Sequence, residues 1–150
     1  MAMMTVTAKG TTPAPPAAVF TLLKASRTWP RWSMIGSYEM VRPGTDEPDG
    51  VGAVRCFRTG IVTAVEEIVE IVPDRRISYI LKSGLPLKDY RARTDLAPLP
   101  DGGTAVTWQS SFRPEIPGTG WLFRLFMTYV LTQLTAALCA AAENPENAPY

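Results

Sequence analysis

The sequence predicts an α+β fold in which a curved antiparallel sheet of about seven strands wraps around one long helix. Six consecutive segments between Gly36 and Arg113 have strand character and short connections, which favours an antiparallel meander. One strand and two short helical segments precede them, and a long apolar helical stripe follows. A meander of this size curls through its own twist, so we expect the C-terminal helix across its concave face.

The N-terminal segment predicts one strand and two short helices. The stretch "MTVTAKG" has the β-branched composition of a strand. In "TTPAPPAAVFTLLKAS" the prolines stand only where a helix can begin, and Val19, Phe20 and Leu23 then share one helical face. Because Trp29 precedes a proline and is biased away from helical backbone, we expect the second helix to begin at Pro30.

The next two strands, "SYEMV" and "GAVRCFRTG", are separated by the turn-rich loop "RPGTDEPDG". The second of them has two rival inward faces, one formed by Arg55 and Phe57 and the other by Val54 and Cys56. A shift of one residue exchanges the faces of a strand, so the pattern alone leaves both assignments open.

The remaining strands have clearer patterns apart from one change of phase. The stretch "IVTAVEEIVEIV" is too long for one flat strand, and a bulge near Glu66 and Glu67 would reconcile its apolar positions. "RISYILKSG" follows, and the hairpin turn "DGG" joins the last two strands. The inward sets predicted for those two strands are Tyr90, Ala92, Thr94 and Leu96, and Val106, Trp108, Ser110 and Phe112.

The C-terminal helix is expected from about Gly120 to Ala142. Arg124, Gln133 and several threonines interrupt its apolar run, so a core helix is favoured over a membrane span, which needs about 20 apolar residues. We predict one ligand-binding domain over residues 1–143 and a flexible C-terminal tail over residues 144–150.

Composition excludes several classes of function. The chain has 150 residues and a net charge of +1, so no general attraction to nucleic acid or to an anionic membrane is expected. The absence of histidine excludes a Ser-His-Asp triad and a histidine-bound metal within this chain. Cys56 and Cys139 are expected to be reduced and buried. The N-terminus lacks signal-peptide character, which favours the cytoplasm.

A cleft between the sheet and the last helix is the expected functional site. Aromatic residues on the strands would face apolar residues of the helix, and hydroxyl groups share the same faces. A filled core is the alternative, but apolar walls with a few polar groups are usual for small-molecule sites. The expected ligand-binding residues are Trp32, Tyr38, Tyr79, Tyr90, Thr94, Trp108, Ser110, Phe112, Phe123, Phe126, Met127 and Val130.

Four motifs carry a resemblance to a known superfamily. They are "PPAAVFTLLKASRTWPRW", "GVGAVRCFRTG", "EEIVEIVPDRRISYIL" and "DGGTAVTWQSSFRP", followed by the final helix. Together, from Thr5 to Glu143, they resemble the START-like, Bet v 1-like helix-grip superfamily (SRPBCC). The Glu-rich strand and Pro-Asp-Arg turn are similar to bacterial polyketide cyclase/dehydrase-like members. The resemblance implies the helix-grip fold and a cavity for hydrophobic molecules, as in lipid-transport domains. It supplies no universal catalytic triad.

Three functions remain open from the sequence. The first is binding of a small hydrophobic molecule of polyketide-like, aromatic or lipid-like character. The second is cyclase or aromatase catalysis, with Glu67 as base, Arg55 as oxyanion donor and Tyr79 or Tyr90 as proton relay. The third is docking onto another protein chain or a membrane surface through Trp29, Trp32 and the rim of the cavity.

Expectations for cofactors and partners follow from the same observations. We expect no cofactor, no metal, no nucleic-acid partner and no stable membrane insertion, and formation of a homodimer is left open.

Overall fold

A computed structural model describes residues 2–147 of the chain. Seven strands form a single antiparallel sheet, which confirms the predicted fold class. In chain order the strands are β1 (Met4–Thr12), β2 (Ser37–Arg42), β3 (Val54–Thr59), β4 (Val62–Val72), β5 (Arg76–Ser83), β6 (Leu87–Pro98) and β7 (Thr104–Pro114). Their order across the sheet is β1-β7-β6-β5-β4-β3-β2, so every consecutive pair from β2 to β7 is adjacent, as in a meander.

Three α-helices accompany the sheet: α1 (Pro16–Lys24), α2 (Trp29–Trp32) and α3 (Gly120–Ala142). Helix α2 begins one residue earlier than predicted, because a 3-10 turn over Ser26–Thr28 leads directly into it and gives Trp29 helical backbone angles. A second 3-10 turn, Pro145–Asn147, lies within the predicted tail, and residues 148–150 lie outside the described part of the chain.

The predicted inward faces of β6 and β7 are confirmed, because burial alternates along both strands in the expected phase. The irregularity in β4 is also present. Its pairing with β5 shifts between Val65 and Glu66 and again between Ile68 and Glu70. The second shift adds one residue to β4, so that Ile71, rather than Glu70, packs against the core. The bulge therefore keeps an apolar face inward along a strand whose sequence changes phase.

Helix α3 supplies one wall of the core through Met127, Leu131, Leu134 and Leu138, all of which are buried. It packs mainly against β1 and β7, and Gly10 of β1 makes the close approach feasible. A Cβ atom added at Gly10 would lie 3.1 Å from Cys139 Sγ on the helix. Helix α3 is long and apolar enough to cross a membrane, but in this fold it is the core helix.

Candidate ligand-binding site

A cavity of about 220 Å³ lies between the sheet and helix α3. Most of its wall is apolar and comes from α3, from strands β3 to β5, from α2 and the segment after it, and from the segment after β5. These apolar residues are Trp29, Met34, Ile35, Phe57, Val62, Ala64, Leu81, Leu85, Phe126, Met127, Val130, Leu131 and Leu134. The polar part of the wall consists of Thr59, Glu66, Tyr79 and Tyr90. This is the form of a small-molecule site, with a few polar groups placed in an apolar surface.

Glu66 is the only acidic or basic side chain in the wall, as far as the described residues go. It lies on β4, in phase with Val62, Ala64 and Ile68, and only 9% of its surface is exposed. Burial raises the pKa of Glu66 to about 7, although the neighbouring Arg55 guanidinium favours the ionised form. The side chain is therefore a carboxyl group that changes its charge near neutral pH.

Arg55 lies behind this wall rather than in it. The residue is 2% exposed, and its Nη1 donates a hydrogen bond of 2.7 Å to Ser26 Oγ. Its Nη2 donates to Glu66 Oε1 at 3.4 Å. The guanidinium carbon lies 4.8 Å from the ring centre of Trp29, 5.1 Å from that of Phe57 and 4.9 Å from that of Tyr79. The three rings favour the cation. Arg55 does not line the cavity and acts on it only through its ion pair with Glu66.

The two tyrosines of the wall are buried and bring hydroxyl groups to it. Trp108 Nε1 donates a hydrogen bond of 3.1 Å to the Tyr79 hydroxyl oxygen. Because an indole can only donate, the Tyr79 hydroxyl keeps its own proton for another acceptor. Burial raises the pKa of Tyr79 and of Tyr90, and nearby negative charge adds to both shifts. Both residues are therefore neutral hydrogen-bond donors at physiological pH.

The structure brings some of the predicted site residues to the cavity and places others elsewhere. Those in the wall are Tyr79, Tyr90, Phe126, Met127 and Val130. Fully buried in the surrounding core, and not in the wall, are Thr94, Trp108, Ser110 and Phe112. Partly buried and also outside the wall are Trp32, Tyr38 and Phe123. Of the predicted catalytic residues, Tyr79 and its alternative Tyr90 reach the cavity, whereas Glu67 and Arg55 do not line it.

The placement expected for Glu67 is corrected by the structure. Glu67 points to the other side of β4, where its carboxylate lies 3.6 Å from Arg42 and 3.3 Å from Lys82. Its side chain is 22% exposed, so the buried carboxyl predicted at this bulge is Glu66 instead. For β3, where the sequence left both faces open, the structure buries both, and Arg55 lies among aromatic rings.

Sequence reasoning missed Glu66 and much of the apolar wall. Trp29 was expected to contribute only to docking of a partner, whereas it stacks on Phe57 at 4.9 Å between ring centres and lines the cavity. Glu66 shares the phase of three apolar residues on β4, and that alternation was the available signal. Trp32 is half-buried and donates to Thr28 Oγ1, so the exposed tryptophan pair expected for partner docking is not formed.

Both cysteines are free and buried. Across residues 2–147 there is no group of three or more acidic, cysteine or histidine residues that could hold a metal ion.

Comparison with known protein families identifies a family with the same pattern of residues. Residues 3–143 match the family described as polyketide cyclase / dehydrase and lipid transport. The chain belongs to this family. The match extends over nearly the whole sequence and confirms the predicted resemblance. Among curated proteins, none matches the sequence significantly.

Solved structures share the fold at low sequence identity. A START superfamily protein from Mycobacterium smegmatis is 14% identical with a TM-score of 0.80, over 93% of this chain and 97% of that one. The Zhui aromatase/cyclase from Streptomyces sp. R1128 is 15% identical with a TM-score of 0.76, over 95% and 94%. Ara h 8.0201 is 18% identical with a TM-score of 0.73, over 95% and 99%. At such identities the similarity establishes the fold alone.

Proposed function

We propose that the protein binds a small hydrophobic molecule in the cavity between the sheet and helix α3. The observation that carries this proposal is the 220 Å³ cavity itself, with its apolar wall and four polar residues. Apolar cavities of about 150 Å³ bind benzene, whereas sites for drug-sized ligands have about 300–1,000 Å³. The volume therefore suits one ring with a short substituent, or an aliphatic chain of similar size.

Native mass spectrometry of the purified protein, followed by calorimetry with a panel of compact hydrophobic molecules, tests this proposal. Trp29 lines the cavity, so ligand binding should also change the tryptophan fluorescence. The variant Ala64→Phe should fill the cavity and weaken binding at least about tenfold, because its side chain occupies the ligand's volume. Thr63→Phe is the matched control, since Thr63 lies on the opposite face of β4. Equal binding by both variants would place the ligand elsewhere.

A second candidate function, cyclase or aromatase catalysis, is favoured by the buried pair of Glu66 and Arg55. In this scheme Glu66 removes a proton from an activated carbon of a polyketone. The resulting enolate carbon attacks a carbonyl carbon, and Tyr79 donates a proton to the alkoxide that forms. A carboxyl group with a pKa near neutral pH suits the role of a base. Arg55 acts here only as a positioning residue, because it does not reach the cavity.

Turnover of a compact diketone that can undergo intramolecular aldol condensation separates catalysis from binding. If Glu66 is the base, Glu66→Gln should lower kcat by about 10²–10⁴, and Glu67→Gln should leave it unchanged. Binding of the diketone without formation of the cyclised product would support the binding function. The cavity volume favours binding, since a long polyketone chain would not fit without expansion.

A further inference from the structure

We propose that the ligand carries one neutral hydroxyl group on its apolar body, and that Glu66 and Tyr79 together bind this hydroxyl. The proposal rests on the proposed binding function and defines the class of ligand for that cavity as compact phenols and alcohols. It is drawn from the placement of the hydrogen-bonding groups in the wall.

Glu66 has acceptor capacity that the protein leaves unused. Within the described residues its only hydrogen bond is the one from Arg55 to Oε1. An ionised carboxylate offers about four acceptor positions on its two oxygens, so most of this capacity remains open to the cavity. A buried polar group without a partner is costly, and a ligand donor that satisfies it gains a charge-assisted hydrogen bond.

Tyr79 provides a donor close to that acceptor. Glu66 pairs with Leu81 on the neighbouring strand, and Ile68 pairs with Tyr79, so Glu66 and Tyr79 are diagonal neighbours on the inward face. Diagonal neighbours on adjacent strands lie about 7–8 Å apart, within reach of long and aromatic side chains. The oxygen of Tyr79 already accepts from Trp108, which leaves its proton as a donor.

A hydroxyl group matches this combination, because it can donate its proton to Glu66 and accept the proton of Tyr79 at the same oxygen. A ligand without polar groups would leave both residues unsatisfied. The apolar remainder of the ligand would then contact Phe57, Phe126 and Leu131 on the facing walls.

The charges around the cavity favour a ligand with a neutral polar group over a ligand with an ionised group. Arg55 already neutralises Glu66, and the arginine does not line the cavity. A ligand carboxylate would meet the like charge of Glu66 without contact to the arginine. A ligand ammonium would lose its hydration to a mostly apolar wall whose one carboxylate is already paired.

Calorimetry at about pH 8 with three probes tests the inference: para-ethylphenol, ethylbenzene and para-ethylbenzoate. The first two differ only by the hydroxyl, and the third replaces it with a carboxylate. We expect wild-type protein to bind the phenol at least about tenfold more tightly than ethylbenzene, because a site built around a hydroxyl discriminates against its absence. We expect the benzoate to bind more weakly than the phenol.

Two variants test whether Glu66 is responsible for the preference for the phenol over ethylbenzene. Glu66→Gln should weaken phenol binding about tenfold and leave ethylbenzene unaffected, whereas the neighbouring control Glu67→Gln should change neither affinity more than about twofold. Ethylbenzene binding as tightly as the phenol, or benzoate binding more tightly, would overturn the inference and leave cavity binding intact. Failure of all three probes to bind would count against the proposed function itself. The comparison of probes needs only the wild-type protein, so it holds even if a variant does not fold.

Discussion

The burial of Glu66 makes a quantitative prediction about how stability depends on pH. The pKa of this carboxyl is about 7 in the folded protein, against an ordinary value of 4.5. Between these two pH values the unfolded chain releases the proton and the folded chain retains it, so rising pH favours unfolding. At 1.36 kcal/mol for each pH unit, the stability lost across this interval is about 3 kcal/mol.

The measurement is urea unfolding of wild-type protein and Glu66→Gln at a series of pH values from about 4 to about 8.5. The free energy of unfolding of wild type, relative to the variant, should fall by about 3 kcal/mol over this range, mainly between pH 4.5 and 7. Taking the difference cancels the titration of other carboxylates. The other charged or titratable groups near Glu66 are Arg55 on β3, Tyr79 on β5 and Tyr90 on β6, and the raised pKa of each tyrosine keeps it neutral throughout this range.

Glu67→Gln is the matched control, because Glu67 forms only partly exposed ion pairs, with Arg42 and Lys82. Such pairs contribute about 0–1 kcal/mol, so the difference from wild type should stay small at every pH. Parallel curves for wild type and Glu66→Gln would refute the reasoning. A pH-dependent loss of similar size, measured against Glu67→Gln, would also refute it, because the buried carboxyl would then be Glu67 rather than Glu66.

Three further substitutions test the packing around the site by urea unfolding. Arg55→Met should lower the free energy of unfolding by about 3–5 kcal/mol at pH 8, because it leaves a buried carboxylate unpaired. The loss should be smaller at pH 5, where Glu66 is protonated, and an equal loss at both pH values would contradict the pairing. Leu131→Ala should lower the free energy of unfolding by about 2–5 kcal/mol and enlarge the cavity for bulkier ligands. An unchanged or higher stability would contradict this prediction. Gly10→Val should lower the free energy of unfolding by about 1–3 kcal/mol, because the added side chain would clash with Thr135 on α3. An unchanged stability would contradict the close contact between β1 and α3.

The fold could be predicted from sequence where burial follows the polarity of the side chains. Strands β6 and β7 alternate apolar and polar residues, and their inward faces were predicted correctly. The same rule failed at β3, where burial extends over both faces of the strand and includes Arg55. Alternation cannot assign such a strand, because a buried cation is stable only through contacts with distant residues, here Ser26, Glu66 and three aromatic rings.

The site was harder to predict than the fold for a related reason. The bulge in β4 follows two adjacent glutamates and precedes the apolar end of the strand. The sequence alone does not indicate at which residue the pairing with β5 shifts. Glu67 was expected inward on local apolar neighbours, whereas the pairing of β4 with β3 and β5 turns Glu66 inward. The distribution of the aromatic residues between wall and core likewise depends on how α3 crosses the sheet.

The buried pair of Arg55 and Glu66 is better suited to selecting a ligand than to stabilising the fold. Replacing a buried ion pair with apolar residues of similar volume is often neutral or stabilising, so the pair is weak evidence for a structural role. Above pH 7 the carboxylate is ionised at a cost to stability, and its free acceptor positions face the cavity. A bound hydroxyl would satisfy those positions and recover part of that cost. Because Arg55 does not line the cavity, under the proposed function it acts on the ligand only through Glu66.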